Sequence, residues 1–375
     1  MMTDTNCLDY LRQIKEIENT QILDYNALIE KDIILYGAGS LGLLALYTLK
    51  EMGIVPKTII DQKPKDDICG FRVEKIDNLA RTDIENCLFL ICISTLSYDD
   101  ICDFLQTKGI KYCIHFYTYA YLKKPCVLGN GWIFELGQFC SEFAVSVCDE
   151  LKHDEMSLAH YLQFLWWKKC NREVVFKKYP VASGEKYWST CLFSLKDDEV
   201  FWDVGAFYGE QTKRFIQIVN GHYSKVICFE PLGEAYDVLR STFMNYSRIE
   251  CRNIGLGEIQ SSGERFIDTL GMASKFGDGG GEFIRKETID SFAEDVSLIK
   301  IHAEGDELSI LKGAVNTIEK SRPVIMVLAD HSIDGAFNIP IFFKRFKDYH
   351  LYFRMHDYCG NSAVYYFVPN ERKII

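Results

Sequence analysis

Glu199-Val200-Phe201-Trp202-Asp203-Val204-Gly205-Ala206-Phe207-Tyr208-Gly209 runs from an apolar stretch directly into a glycine turn. A helical stretch, Gln211 to Val219, comes next. The apolar run Lys225-Val226-Ile227-Cys228-Phe229 follows and stops at Glu230-Pro231. Strand, glycine turn, helix and strand in that order form the opening unit of a doubly wound parallel sheet. Downstream the alternation continues with helix Glu234 to Asn245, strand Ile249 to Ile254, strand Val296 to Ile301, helix Glu307 to Glu319 and strand Val324 to Leu328. Two late apolar runs, Leu351 to Met355 and Ala363 to Val368, read as an antiparallel pair at the sheet edge. Between them and the start lies Gly257 to Lys286, polar and glycine-rich. It reads as loops and short surface strands, with Ser274 to Gly281 a candidate mobile lid.

Upstream, a second unit of the same kind is present. Asp32 to Tyr36 is a short apolar run, followed by Gly37-Ala38-Gly39-Ser40-Leu41-Gly42 and a helical stretch to Met52. Strands are predicted at Lys57 to Ile60, Cys87 to Ser94 and Tyr112 to Phe116, with a helix at Tyr98 to Lys108. Residues 1–31 read as an amphipathic helix with Leu8, Leu11, Ile14, Ile17 and Leu23 on one face. Glu155 to Lys169 is an aromatic-rich helix whose Tyr161, Phe164, Trp166 and Trp167 suit an interlobe core better than a sugar platform. The expected architecture is α/β: two Rossmann-like doubly wound sheets joined by a helical connector. The boundaries fall at residues 1–124, 125–186 and 187–375.

Composition narrows the function. The chain has 375 residues, 48% hydrophobic and 25% charged, with a formal net charge of −11. Such an acidic chain, without a basic tract, is a poor partner for nucleic acid. The 14 cysteines are scattered singly with no C-x-x-C pair. They suit neither structural zinc nor a disulfide scaffold and read as reduced packing thiols. Met1 to Asn6 is polar, unlike a signal peptide, and no run of roughly 18 apolar residues suggests a membrane span. A cytoplasmic location is expected, and homo-oligomerisation is left open.

Each glycine loop suggests a ligand. In the second, Glu230 stands 21 residues after Gly209 at a strand end, where a carboxylate accepts both ribose hydroxyls of a nucleoside. Asp203, Gly205, Ala206, Gly209, Glu230, Pro231 and Asn253 form the candidate cofactor set. The loop lacks the close G-x-G pair that suits a pyrophosphate, so a phosphate-free cofactor such as S-adenosylmethionine fits it better. Asp203 would then meet the cationic end of that ligand. In the first loop, Gly37-x-Gly39-x-x-Gly42 between strand and helix, with Asp61 19 residues on, has the dinucleotide-binding spacing. Gly37, Gly39, Gly42 and Asp61 are its candidate nucleotide-binding residues.

The second half resembles the FkbM-type family of S-adenosylmethionine-dependent methyltransferases, which have a class I methyltransferase fold. The resemblance runs in order through Val200 to Gly209 with Thr212, Phe229-Glu230-Pro231, Asn253 to Gly257, Glu287 to Phe292, Leu298 to Gly305 with Glu307-Leu308 and Leu311 to Ala314, and Arg322 to Ile325. It covers about residues 187 to 369. Many family members carry aspartate where His302 stands. The first lobe resembles the nucleotide-sugar-binding domain of certain bacterial sugar acyltransferases in Tyr36 to Gly39, Ile60-Asp61, Gly70 to Val73 and Ile76 to Leu79. Together these resemblances imply O-methyl transfer from S-adenosylmethionine to a hydroxyl of a sugar, free or nucleotide- or glycan-linked, in surface polysaccharide synthesis.

Removing the hydroxyl proton needs a base at the C-terminal rim of the sheet. His302 and Glu304 follow one predicted strand, Asp330 and His331 the next, and His356 the late pair. His302, Glu304 and His331 are the catalytic candidates, Asp330 and His356 the substrate-binding ones. The first four could form a mixed N/O metal site, but nothing in their spacing demands one and no metal is assigned. Tyr187-Trp188 could close over the cofactor. Two alternatives remain: a nicotinamide-dependent sugar-nucleotide oxidoreductase or epimerase using the Gly37 loop, and a non-catalytic nucleotide-sugar-binding or docking protein.

Overall fold

The computed structural model describes residues 4–17, 28–64, 67–123, 129–135, 137–181, 183–267, 275–276 and 282–374. Helix α1 spans Asp4–Glu16. The first lobe contains β1 (Ile33–Tyr36), α2 (Ser40–Glu51), β2 (Thr58–Ile60), β3 (Val73–Glu74), α3 (Arg81–Asn86), β4 (Leu88–Ile91), α4 (Tyr98–Thr107), β5 (Cys113–His115) and α5 (Phe116–Lys123). Its five strands are all parallel, in the order β3-β2-β1-β4-β5. Helices α6 (Ser141–Leu151) and α7 (Glu155–Cys170) connect the lobes.

The second lobe opens with β6 (Val200–Val204), α8 (Glu210–Ile218), β7 (Lys225–Phe229), α9 (Gly233–Phe243) and β8 (Ile249–Arg252). Short strands β9 (Gly255–Leu256), β10 (Ser261–Ile267), β11 (Lys275–Phe276) and β12 (Glu282–Glu287) follow. Then come β13 (Leu298–Ile301), α10 (Glu307–Lys312), α11 (Val315–Ser321), β14 (Val324–Leu328), α12 (Ile333–Ala336), α13 (Asn338–Phe343), β15 (Tyr349–Met355) and β16 (Ala363–Pro369). The main sheet has seven strands in the order β8-β7-β6-β13-β14-β16-β15. In it β8, β7, β6, β13 and β14 run parallel, and β16 pairs antiparallel with both β14 and β15. The order reverses between β6 and β13, so a crevice is expected outside their C-terminal ends.

The fold class read from the sequence is therefore present: α/β, with two parallel sheets, helices over their faces and the late antiparallel pair at one edge. The central strands are apolar because both faces are covered; all four residues of β13 and all five of β14 are buried.

Several local expectations need correction. The helix read over 307–319 is two helices, broken at Gly313-Ala314. A Cβ on Gly313 would lie 2.1 Å from the Gly257 carbonyl oxygen, so the backbone of the preceding segment packs directly onto this turn. The strand read over 249–254 stops at Arg252, and Asn253 turns away. The N-terminal helix is shorter than read. Leu11 and Ile14 are buried among α6 and α7, whereas Leu8 is 49% exposed. Leu23 lies outside the described residues, as does most of the glycine-rich stretch 274–281.

The aromatic helix is interlobe core, as expected. The buried Trp167 ring meets Tyr98 and His115 of the first lobe edge-on, with centroids 5.9 and 5.1 Å away. On its other side, a Cβ at Gly360 would lie 2.6 Å from the same ring. The backbone N–H of Tyr358 also donates to Ser94 O at 2.6 Å, tying the lobes together. No helix among the described residues is long and apolar enough to cross a membrane.

Candidate functional site

A cavity of about 350 Å³ opens at the C-terminal ends of β6, β7, β13 and β14, at the strand-order reversal. That volume suits a small-molecule ligand. One wall is mostly apolar and comes from β6, β7 and the segment after β8. The other is polar and comes from the ends of β13 and β14.

On the first wall, Gly205 turns with φ +68, and a Cβ there would lie 1.8 Å from the His302 carbonyl oxygen. Only glycine lets the loop lie this close to β13. Glu230 is 5% exposed, and its two carboxylate oxygens accept the N–H of Phe207 at 2.7 Å and of Leu232 at 2.9 Å. Burial pushes its carboxyl pKa up. Pro231, Leu232, Ile254 and Leu256 complete an apolar slot beside it.

Of the predicted cofactor set, Gly205, Glu230 and Pro231 line the cavity; Asp203, Ala206, Gly209 and Asn253 do not. Asp203 is fully buried behind the wall. Its Oδ1 accepts from Lys300 Nζ at 2.9 Å and its Oδ2 from the Thr212 hydroxyl at 2.7 Å. The expectation that Asp203 meets a ligand's cationic end is corrected: Lys300 already neutralises it. Lys300 also donates to Val204 O at 3.1 Å and Gly205 O at 2.6 Å, so the pair shapes the loop. Gly209 caps α8 against Phe243, and Asn253 Nδ2 donates to the carbonyls of Glu230 and Pro231 at 2.9 and 3.0 Å. Both therefore position the loop from outside the cavity.

The polar wall brings together His302, Glu304, Asp330 and His331. His302 Nδ1 pairs with the Tyr187 hydroxyl at 2.9 Å, and its Nε2 faces Glu304 Oε1 at 3.1 Å. Glu304 Oε2 lies 3.4 Å from His331 Nε2, and His331 Nδ1 pairs with Glu307 Oε1 at 2.6 Å. Burial, helped by the Lys186, His331 and Lys300 charges, holds the His302 pKa well below its usual value. His331 differs. Burial alone would lower it, but the Glu304 and Glu307 carboxylates outweigh burial and raise it to about 9. Burial raises the Glu304 carboxyl. Burial would also raise Glu307, but the charge and hydrogen bond of His331 pull it down.

In the sequence Glu307 belongs only to the family resemblance and carries no assigned role. It also accepts the N–H of Ala303 at 2.9 Å and of Gly305 at 3.0 Å, fixing the turn that carries Glu304. Lys186, Asn130 and Ser362 also line the cavity, and sequence reasoning missed them. They come from three distant segments, so no local pattern joins them. Asp330 Oδ2 accepts the Ser362 N–H at 2.6 Å, while its buried Oδ1 has no hydrogen-bond partner. His356, proposed for substrate, is 1% exposed and lies off the cavity, with Nε2 2.7 Å from the Tyr366 hydroxyl. That assignment is corrected. Tyr187 lies against the polar wall through His302, while Trp188 stacks on Phe215.

In the first lobe, Gly37 has φ +113 and a Cβ on Gly42 would lie 2.1 Å from Gly37 O, whereas Gly39 has open space. Gly37 thus serves the tight turn and Gly42 the close packing of helix on strand. Asp61 Oδ2 accepts the Ala38 N–H at 2.9 Å and its Oδ1 the Lys63 N–H at 2.8 Å.

With the geometry in place, comparison with known proteins adds the following. Residues 203–362 match the family model described as the methyltransferase FkbM domain. The crystal structure of methyltransferase FkbM from Methylobacillus flagellatus KT is similar over 97% of this chain and 98% of that chain, with a TM-score of 0.68 and 17% identity. A putative rRNA-methylase from Clostridium thermocellum covers 52% of this chain and 97% of its own, with a TM-score of 0.34 and 11% identity. No curated protein matches the chain in sequence. The second lobe thus matches the FkbM methyltransferase domain model over residues 203–362, and the two-lobed fold recurs in a solved structure.

Proposed function

We propose that the FkbM methyltransferase domain at residues 203–362 uses S-adenosylmethionine to methylate a hydroxyl of a sugar, free or nucleotide- or glycan-linked. The observation that carries the reading is Glu230. Its buried carboxylate is aimed by two backbone N–H groups at the cavity wall, at the strand-order reversal. Both oxygens keep lone pairs for a ribose diol. Gly205 admits the ligand's tail to the backbone, and the Pro231, Leu232, Ile254 and Leu256 slot suits a flat base.

When bound, S-adenosylmethionine supplies an activated methyl group on a sulfonium. The chain's own task is to align an acceptor oxygen and to receive its proton. The polar wall suits a polyhydroxylated acceptor: Lys186 offers donors, Asn130 offers both kinds of group, and the Ser362 hydroxyl oxygen, whose proton goes to Asp357, and the Asp330 and Glu304 carboxylates accept. His302, kept neutral, and Glu304, with a raised pKa, stand together as the group to which the acceptor's proton passes. Tyr187 orients His302, and Glu307 orients His331.

Calorimetric titration with S-adenosylmethionine tests the cofactor. Binding is expected, and Glu230→Ala should weaken it more than tenfold, since charge-assisted hydrogen bonds contribute about 1.5–3 kcal/mol each. Absence of binding, or affinity indifferent to Glu230→Ala, would sink the reading. For the acceptor, mass spectrometry of candidate sugars and nucleotide sugars should detect a gain of one methylene.

A further inference from the structure

We propose that His302, Glu304 and His331 form a binding site for one divalent first-row transition cation at the polar end of the cavity. The role given to the ion, holding an acceptor oxygen, rests on the methyl-transfer reading; its binding does not.

Each imidazole has its Nδ1 engaged from behind: His302 by the Tyr187 hydroxyl at 2.9 Å, His331 by Glu307 at 2.6 Å. An oxygen partner on Nδ1 is how proteins orient metal-binding histidines, leaving Nε2 free to ligate. Both Nε2 atoms then point at one carboxylate. They lie 3.1 Å from Glu304 Oε1 and 3.4 Å from Oε2. One donor atom from each of the three residues lies within 4.8 Å of the others.

Those separations fit a shared ion. Ligands about 2.1 Å from a metal, at angles between octahedral and tetrahedral, sit roughly 3.0–3.4 Å apart. The three residues are also held on rigid supports. His302 and His331 follow adjacent parallel strands, β13 and β14. Glu304 has φ +49 in a turn fixed by Glu307, a left-handed conformation that a side-chain-bearing residue adopts only when its surroundings impose it. The His302 and Glu304 side chains are 30% and 21% exposed and line the cavity, so further coordination positions face the acceptor.

Two imidazoles and one carboxylate favour zinc or manganese over magnesium or calcium, which prefer all-oxygen ligands. A coordinated acceptor hydroxyl would be oriented and made more acidic, its proton passing to the Glu304 oxygen not bound to the ion rather than to the ligated His302. For Nε2 ligation, His302 carries its proton on Nδ1 and donates it to the Tyr187 oxygen, which can accept as well as donate.

The test uses the full chain treated with chelator and dialysed. It is titrated calorimetrically with Zn²⁺, Mn²⁺ and Mg²⁺, and Mn²⁺ binding is followed by electron paramagnetic resonance. One Zn²⁺ or Mn²⁺ per chain is expected, with Mg²⁺ weaker. Glu304→Gln and His331→Gln should each lower affinity more than tenfold. Tyr187→Phe, at a positioning residue, should lower it about tenfold with stoichiometry unchanged. If His331→Gln fails to fold, Glu304→Gln at the cavity surface decides. No stoichiometric binding of either ion, or binding indifferent to Glu304→Gln, overturns the site. S-adenosylmethionine titrations on the same samples separate the two readings. Cation binding without cofactor binding leaves the site standing and removes the transferase reading; the reverse result does the opposite.

Discussion

Replacing Gly205 by alanine tests how the loop of the second lobe is built. The new Cβ would lie 1.8 Å from His302 O and 3.0 Å from the carbonyl carbon. A tolerable contact needs more than about 3 Å, so loop and strand end must part by more than ~1 Å. They are stitched together and resist. Gly205 N–H and Ala206 N–H donate to Phe229 O at 3.0 and 3.1 Å, and His302 N–H donates to Val204 O at 3.1 Å. Lys300 Nζ binds Gly205 O at 2.6 Å. Losing two such bonds costs roughly 2 kcal/mol, and placing a side chain at φ +68 adds about 1–2 kcal/mol. A destabilisation near 3 kcal/mol lowers the melting temperature by roughly 6–12 °C. Calorimetric titration should also show S-adenosylmethionine affinity reduced at least tenfold, because the moved backbone is cavity wall. Gly209→Ala supplies the contrast. Its Cβ would meet the Phe243 ring at 2.4 Å, away from the cavity, so it should lose stability while retaining affinity. A Gly205→Ala protein with wild-type melting and wild-type binding would refute this account of the loop.

Two further outcomes concern charge. Burial pulls the Lys168 ammonium down to about 7, where it faces the carbonyls of Asn130 and Asp330. Between about 7 and the usual lysine value, the unfolded chain binds a proton that the folded chain has released. Stability therefore climbs with pH across that window, by at most ~4–5 kcal/mol. Urea denaturation of wild type and Lys168→Met at pH 6.5 and 9 should show the climb reduced in the variant, and parallel curves would refute it. At the surface, two hydrogen bonds from Arg322, at 2.7 and 2.9 Å, hold the Glu371 carboxyl down to about 2. This stability is present above the usual carboxylate range and is lost as pH falls through about 2. With side chains 33% and 50% exposed, the pair contributes less than ~1 kcal/mol, so Glu371→Gln should cost little at pH 7 and nothing near pH 2.

The sequence made the strand ends legible because burial on both faces writes them as apolar runs, and glycine turns mark where they stop. That placed His302, Glu304, Asp330 and His331 on one rim correctly. What it could not supply was register and depth. Asp203 and Lys300 are direct neighbours across the parallel pair β6–β13, which turns a supposed ligand contact into a buried ion pair. His356 also follows a strand, but β15 stands two strands beyond β14, with β16 between, so its end falls away from the crevice. Asn130 and Lys186 reach the cavity from the segment between the lobes, and Ser362 reaches it because β16 pairs with β14 and brings its N–H to Asp330. The break at Gly313 was hidden for a similar reason, because the backbone that demands it lies more than fifty residues earlier.

The two glycine loops show how one local device can serve different ends. In each, an acid closing the second strand accepts an N–H from the loop: Glu230 from Phe207, Asp61 from Ala38. The difference lies on the neighbouring strand. After β13 the chain presents His302 and Glu304 to a cavity. After β4, the structural counterpart, it presents Cys92, Ile93 and Ser94. Burial raises the Cys92 thiol, and Ser94 O is occupied by the Tyr358 N–H of the second lobe. Beyond it, His115 at the end of β5 is held neutral by burial, its pKa lowered to about 3, and lies edge-on to Trp167. The rim of the first sheet is thus committed to docking at Ser94 and His115, while Asp61 closes β2 against the Gly37 loop. Through Asn130, just beyond the first lobe and bonded to Tyr117 within it, that docking reaches the wall of the second lobe's cavity, where we propose methyl transfer.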